Sequence, residues 1–183
     1  MRITKKTPAA VLACTTLSAM ALSLAGAPAA DAATAGHWWN ASPSKNECLA
    51  APDDSTGVAI MWSCESDPGQ NWSINLLGPL DGISGNPETF QIYDNAGCLE
   101  VPYAQYDSNG ARVDVDQWCG QDGGSNSWYL EPAGTAGYYM LVNSMTDGSL
   151  CLSVAGGSLS SGAEVIQWSC HDTPDQEWQG AGI

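Results

Sequence analysis

Aromatic rings and carboxylates are the side chains with chemical potential in this sequence, and the rings are regularly spaced. Six of the eight tryptophans fall into three pairs ten residues apart, Trp62/Trp72, Trp118/Trp128 and Trp168/Trp178. An amide side chain, Gln70, Asn126 or Gln176, stands two residues before the second Trp of each pair. An indole offers a broad apolar face and one N–H donor, so it suits ring stacking or core filling. Catalysis has little to work with. The two histidines, His37 and His171, are isolated, and neither lies in a motif with a nucleophile and an orienting group. Glu100 with Asp116 is weak support for glycosidase chemistry in a chain so rich in acids. Gly123-Gly124 and Gly156-Gly157 read as turns, not phosphate loops. Asp114, Asp116 and Asp122 read as a solvated acidic loop in preference to a Ca²⁺ site. The expectation is a non-enzyme without cofactor or metal.

The elements that position these residues begin after a leader. Arg2, Lys5 and Lys6 precede an apolar stretch from Ala9 to Ala25 and a small-residue segment ending Ala30-Asp31-Ala32. This is the layout of a secretory signal peptide spanning residues 1–32. The stretch is short for a membrane span, is interrupted by Thr15, Thr16, Ser18 and Ser23, and lacks a basic stop-transfer flank. Cys14 leaves with it, and the apolar run beyond Cys14 sets a lipoprotein reading aside. Cleavage leaves 2 basic against 19 acidic residues, a net charge near −17. Such a chain repels nucleic acid and anionic lipid, so a neutral or cationic partner is expected, and no membrane contact after cleavage. A secreted, extracellular monomer is the expectation.

Six cysteines remain, Cys48, Cys64, Cys98, Cys119, Cys151 and Cys170, and an even count in an exported chain reads as disulfides. No C-x-x-C pair favours zinc, and fifteen pairings are open in principle. The cysteines are in phase with the tryptophans. Cys48-Leu49, Cys98-Leu99 and Cys151-Leu152 open each unit, and Cys64, Cys119 and Cys170 follow its first Trp. A Gly-led β stretch begins between them at Gly57, Gly110 and Gly162. The period is 50 to 56 residues, with repeats near 37–80, 88–132 and 138–183. Sustained helical periodicity is missing, and short β-rich runs appear at 92–93, 113–115, 138–142 and 165–168. One repeat cannot bury its own apolar face, whereas three around an axis share a core. The fold class expected is all-β, closed and pseudo-threefold.

The pattern C-L…G-x-x-V-x-x-W-x-C…Q-x-W, three times over residues 37–183, resembles the ricin-type β-trefoil module of lectins and carbohydrate-binding domains. The resemblance implies a β-trefoil over residues 33–183 with one cystine per repeat, Cys48–Cys64, Cys98–Cys119 and Cys151–Cys170. Each loop of roughly 15 to 22 residues would contribute about 3 kcal/mol by chain entropy. The second unit departs from the pattern, reading Trp118-Cys119 where its siblings read Trp-Ser-Cys. A bulge near Trp118 or a displaced middle disulfide would absorb the difference, and the preserved Trp-to-Trp spacing favours the bulge.

A sugar site needs a flat aromatic face for the C–H side of the ring and fixed polar groups for its hydroxyls. The resemblance assigns the amide and Trp of Q-x-W to structure: Gln70 and Trp72, Asn126 and Trp128, Gln176 and Trp178. Its site pattern falls in the first unit on Ala50, Ile60, Trp62 and Gly69, a platform without hydrogen-bonding groups. In the second it falls on Glu100, Asp116, Trp118 and Ser125. In the third it falls on Ser153, Ile166, Trp168 and Asp175, with Gln167 beside the platform. Ala50, Glu100 and Ser153 stand where the family's pattern has Asp. A secreted lectin for neutral glycans is the leading expectation. The alternative is a protein-binding or inhibitor module that has lost the sugar sites and takes a basic partner. His37, Trp38 and Trp39 resemble the first trefoil strand, with an exposed aromatic patch as a lesser reading.

Overall fold

Short β-prone runs punctuated by Gly, Pro and Asn become strands that all pair antiparallel in a computed structural model of the chain. The structure describes residues 35–41, 46–52, 56–119, 125–158 and 160–183. The expected signal peptide, with Cys14, and the residues Asp122, Gly123 and Gly124 lie outside the described residues. The strands are β1 (Trp38–Asn40), β2 (Glu47–Ala50), β3 (Gly57–Val58), β4 (Ile60–Ser63), β5 (Ser73–Pro79), β6 (Glu88–Tyr93) and β7 (Cys98–Glu100). They continue as β8 (Asp114–Asp116), β9 (Trp128–Pro132), β10 (Tyr139–Asn143), β11 (Leu150–Val154), β12 (Ala163–Ser169) and β13 (Glu177–Gly180). Among the described residues no helix is long and apolar enough to cross a membrane.

Six strands make a closed circuit. Strand β5 pairs with β6, β6 with β9, β9 with β10, β10 with β13 and β13 with β1, and the bridge Gly36↔Trp72 returns to the start of β5. Three hairpins, β2/β4, β7/β8 and β11/β12, cap one end of this barrel. They meet through β4–β12, β3–β8 and the bridge Arg112↔Ile166. At their junction Ala59 N–H donates to Val113 O (2.8 Å), Val113 N–H to Val165 O (3.0 Å) and Val165 N–H to Ala59 O (2.8 Å). That three-membered ring marks the pseudo-threefold axis. The arrangement is a β-trefoil, as the three in-phase Trp and Cys markers imply.

The second Trp of each pair makes the core. Trp72, Trp128 and Trp178 are fully buried, and their indole N–H groups donate to the carbonyls of Leu49 (2.8 Å), Leu99 (3.2 Å) and Leu152 (3.0 Å). Each Cys-Leu therefore supplies an apolar side chain to the core and an acceptor for its own repeat's indole. Trp38 is fully buried and Trp39 half-buried in β1, so the N-terminal aromatic pair belongs to the barrel, not to an exposed patch. The cystines are Cys48–Cys64, Cys98–Cys119 and Cys151–Cys170, one in each repeat.

Candidate functional site

The ring residues Ala59, Val113 and Val165 give a common register for the repeats. Counting from them, Ile60, Asp114 and Ile166 are equivalent, and so are Trp62, Asp116 and Trp168. The hairpin ladders agree. Cys48 faces Trp62 and Cys151 faces Trp168, whereas Cys98 faces Asp116. Trp118 is thus two residues beyond the platform position, on the turn Gln117–Cys119 that follows β8. This corrects the expected bulge: the β7–β8 ladder runs without a register shift, and Cys119 reaches Cys98 from a displaced turn. Asp116 Oδ1 accepts the Trp118 N–H at 2.6 Å and closes that turn. Trp118 is the most exposed tryptophan of its set at 58%, and it does not line the pocket beside Glu100.

In the third unit the expected residues converge. Strand β12 alternates, with Val165 and Gln167 buried and Trp168 pointing outward, 41% exposed. Trp168 rests on the neighbouring repeat at Gly110, where a Cβ would sit 3.3 Å from the indole and the backbone has φ +77°. The positive φ favours glycine there, and a Cβ would also press on the indole. Beside the ring is a cavity of about 380 Å³ lined by Ser153, Ile166, Trp168, His171 and Asp175 among others. The buried Ser153 hydroxyl donates to Asp175 Oδ2 at 2.8 Å and fixes the carboxylate. Gln176 holds the adjoining loop, donating to Ser169 O (2.9 Å) and accepting the His171 N–H (2.6 Å). An outward indole beside an oriented carboxylate can stack on a sugar ring and accept hydrogen bonds from its hydroxyls. His171 at the rim was not among the site residues expected from sequence, because nothing in its local sequence marks it.

Gln167 does not belong to this site. Period-two alternation puts it on the opposite face from Trp168, wholly buried. Its Nε2 donates towards the carbonyls of Gln105 (3.2 Å), Tyr106 (2.8 Å) and Ser108 (3.1 Å), and its Oε1 accepts from Asn143 (3.1 Å). Gln167 is a tether between the second and third repeats. Gln167→Ala should lower the unfolding free energy by about 1–3 kcal/mol, because it takes the partner from the buried Asn143 amide and from the part-buried Tyr106 carbonyl. Urea titration checks this, and ligand affinity of the folded variant should stay unchanged.

The equivalent pocket of the first unit, about 610 Å³, has Trp62 (46% exposed), Ile60 and Ala50. It also has Asp67, which the repeat pattern did not single out; the turn-forming run Asp67-Pro68-Gly69 is the signal that could have found it. Asp67 Oδ1 accepts from Gly69 N–H at 2.8 Å. Gln70 clamps the loop as Gln176 does, donating to Ser63 O (2.9 Å) and accepting from Glu65 N–H (2.8 Å).

The second unit's pocket, about 340 Å³, is acidic: Glu100, Asp114 and Asp116 line it with Tyr103, which stacks on Tyr106 at 5.6 Å. Ser125, Asn126 and Glu100 are buried, and Asn126 Nδ2 donates to Glu100 Oε2 at 3.4 Å. Among the described residues no His, Cys, Asp and Glu group could hold a metal ion. Burial raises the Asp114 carboxyl above its ordinary 3.8, the Arg112 guanidinium opposes the shift, and Asp116 and Glu164 add to it. A carboxyl whose pKa is raised by folding supports the fold below pH 3.8, and that support disappears as pH climbs through the folded value. Asp114→Asn should therefore raise the melting temperature at neutral pH, with the advantage shrinking to nothing below pH 3.8. Thermal scans at the two pH values test the sign.

Fold and site together define a β-trefoil with three related surface pockets, each built on its own Cys-Leu hairpin. The description of the ricin-type β-trefoil lectin domain-like family matches residues 81–168 and 124–182, and the chain belongs to that family. Among solved structures it is similar to ThreeFoil, a designed threefold-symmetric protein, at 26% identity over 81% of this chain and 99% of that one, TM-score 0.65. It is similar to the Macrolepiota procera ricin B-like lectin in complex with lactose, at 14% identity over 86% of this chain and 100% of that one, TM-score 0.60. It also resembles the Clostridium thermocellum exo-β-1,3-galactanase 1,3Gal43A at 18% identity over 82% of this chain but 30% of that one, TM-score 0.62. The latter two likenesses speak to fold. No curated protein sequence matches the chain.

Proposed function

We propose that the protein is a secreted, non-catalytic carbohydrate-binding protein for neutral glycans, with the third repeat as its principal site. One observation carries the reading: the outward Trp168 indole shares a cavity with the hydrogen-bonded Ser153–Asp175 pair. Stacking area and an oriented acceptor are the two requirements for holding a pyranose or furanose ring. Family membership supports it, as does the lactose bound by the Macrolepiota procera lectin. The leader-like N-terminus and three cystines support an extracellular setting. A shallow single site of this type binds in the millimolar range, about 4 kcal/mol.

Affinity electrophoresis through gels containing neutral galactan, xylan or arabinan tests the proposal. Retardation by one of them, relieved by its free sugar, is the expected result. Unretarded migration in all three, by protein shown to be folded, would overturn it.

A further inference from the structure

We propose a second glycan-binding site, for neutral hydroxyl-rich sugars, in the cavity beside Tyr93 on the barrel wall of the second repeat. It extends the carbohydrate-binding reading and stands on residues that share nothing with the Trp168 pocket. The cavity measures about 600 Å³ and is lined by Asn75, Gln91, Tyr93, Asn95 and Gln117, with the 94–97 turn at its edge. It is open because one connection is short. Tyr93 pairs with Cys98 across the turn 94–97, whereas Val142, its counterpart in the third repeat, pairs with Cys151 across residues 143–150. The longer connection carries the 3₁₀ turn Ser144–Thr146, with Thr146 buried. The short one is pulled flat: Asp94 Oδ1 accepts from Ala96 N–H (2.8 Å) and Gly97 N–H (3.0 Å). Gly97 then lies so close to the Asp116 carbonyl and Gln117 that any Cβ would overlap them.

Two of the polar groups around this opening, Asn75 and Gln91, are held in place by hydrogen bonds. Register puts Asn75 opposite Gln91 and Ser73 opposite Tyr93, so Gln91 and Tyr93 share one face of β6. Asn75 Nδ2 donates to Gln91 Oε1 (3.2 Å), and Gln91 Nε2 donates to Asn126 Oδ1 (3.4 Å). The chain of amides is continued by the Asn126–Glu100 bond. Tyr93 is 39% exposed, and Gln117 and Asn75 face solvent. Asp94 also lines the cavity, its Oδ1 engaged by two N–H groups of the turn. A phenol ring flanked by four uncharged amides and that acceptor offers a stacking face with both donors and acceptors, which suits a hydroxyl-rich neutral sugar. The displaced turn that removes Trp118 from the platform position is the same turn that brings Gln117 here.

The test is a ¹H–¹⁵N NMR titration of the full mature domain with xylotetraose, galactotriose and N,N′-diacetylchitobiose, on wild type and on Trp168→Ala. At least one probe should shift the side-chain amide signals of Asn75, Gln91 and Gln117 saturably, and equally in Trp168→Ala. Tyr93→Ala should raise the Kd read at these amides about tenfold, and so should Gln117→Ala on its exposed turn. Movement of the Trp168 indole signal with static amides would overturn the second site and leave the first standing. Amides static in wild type with all three probes, or amide shifts unaltered in both single variants, would also overturn it.

Discussion

Trp168→Ala should abolish retention on a neutral polysaccharide while the domain stays folded. The indole lies outside the barrel core, 41% exposed, and rests against Gly110 of the neighbouring repeat. Truncation removes the stacking face beside Ser153 and Asp175 and leaves their hydrogen bond in place. Losing the contact of one aromatic face with a sugar costs about 1.5–3 kcal/mol, a ten- to hundredfold weakening. For a site that begins in the millimolar range, that is loss of measurable binding. Affinity electrophoresis of wild type and variant, with urea midpoints measured on the same samples, separates a binding defect from a folding defect. Unchanged retention would move the principal site out of the third repeat.

Trp178→Ala should have the opposite profile, with severe loss of stability. This indole is wholly buried in the central apolar cluster and donates to the Leu152 carbonyl at 3.0 Å. A buried Trp→Ala replacement costs about 3–5 kcal/mol in lost contacts and residual cavity, and the stranded carbonyl adds about 1 kcal/mol. Total stabilities of single domains run at about 5–15 kcal/mol, so half or more could vanish. The melting temperature should fall by about 10 °C or more, read by calorimetry with the cystines intact. Trp178→Phe keeps most of the packing and loses the N–H, so it should cost about half as much. Trp72 and Trp128, placed identically, should behave alike. Equal tolerance of Trp178→Ala and Trp168→Ala would contradict the division of each pair into one inward and one outward ring.

The family resemblance implied that division, and it holds in the first and third repeats, where Trp, Cys and the Q-x-W amide keep the same spacing. It was misleading in the second. Trp118 stands ten residues before Trp128, as Trp168 does before Trp178, yet its strand ends two residues earlier at Asp116. Spacing along the chain cannot reveal this, since register is set by the distant contacts of Val113 with Ala59 and Val165. Gln167 was misplaced for a more local reason: adjacency to Trp168 suggested a shared site, where strand alternation demands opposite faces. The Tyr93 cavity gave no signal, because Asn75, Gln91 and Gln117 come together only when β5, β6 and the turn after β8 are assembled. Cystine pairing followed the resemblance in all three repeats.

The cyclic exchange among Ala59, Val113 and Val165 has a consequence for how the molecule comes apart. Each lobe gives one backbone bond and receives another, so none is terminal and none can peel away without orphaning groups in both others. Amide hydrogen exchange at these three sites should report only global opening, with a single common protection free energy, and an excised lobe should self-associate in search of the two it has lost.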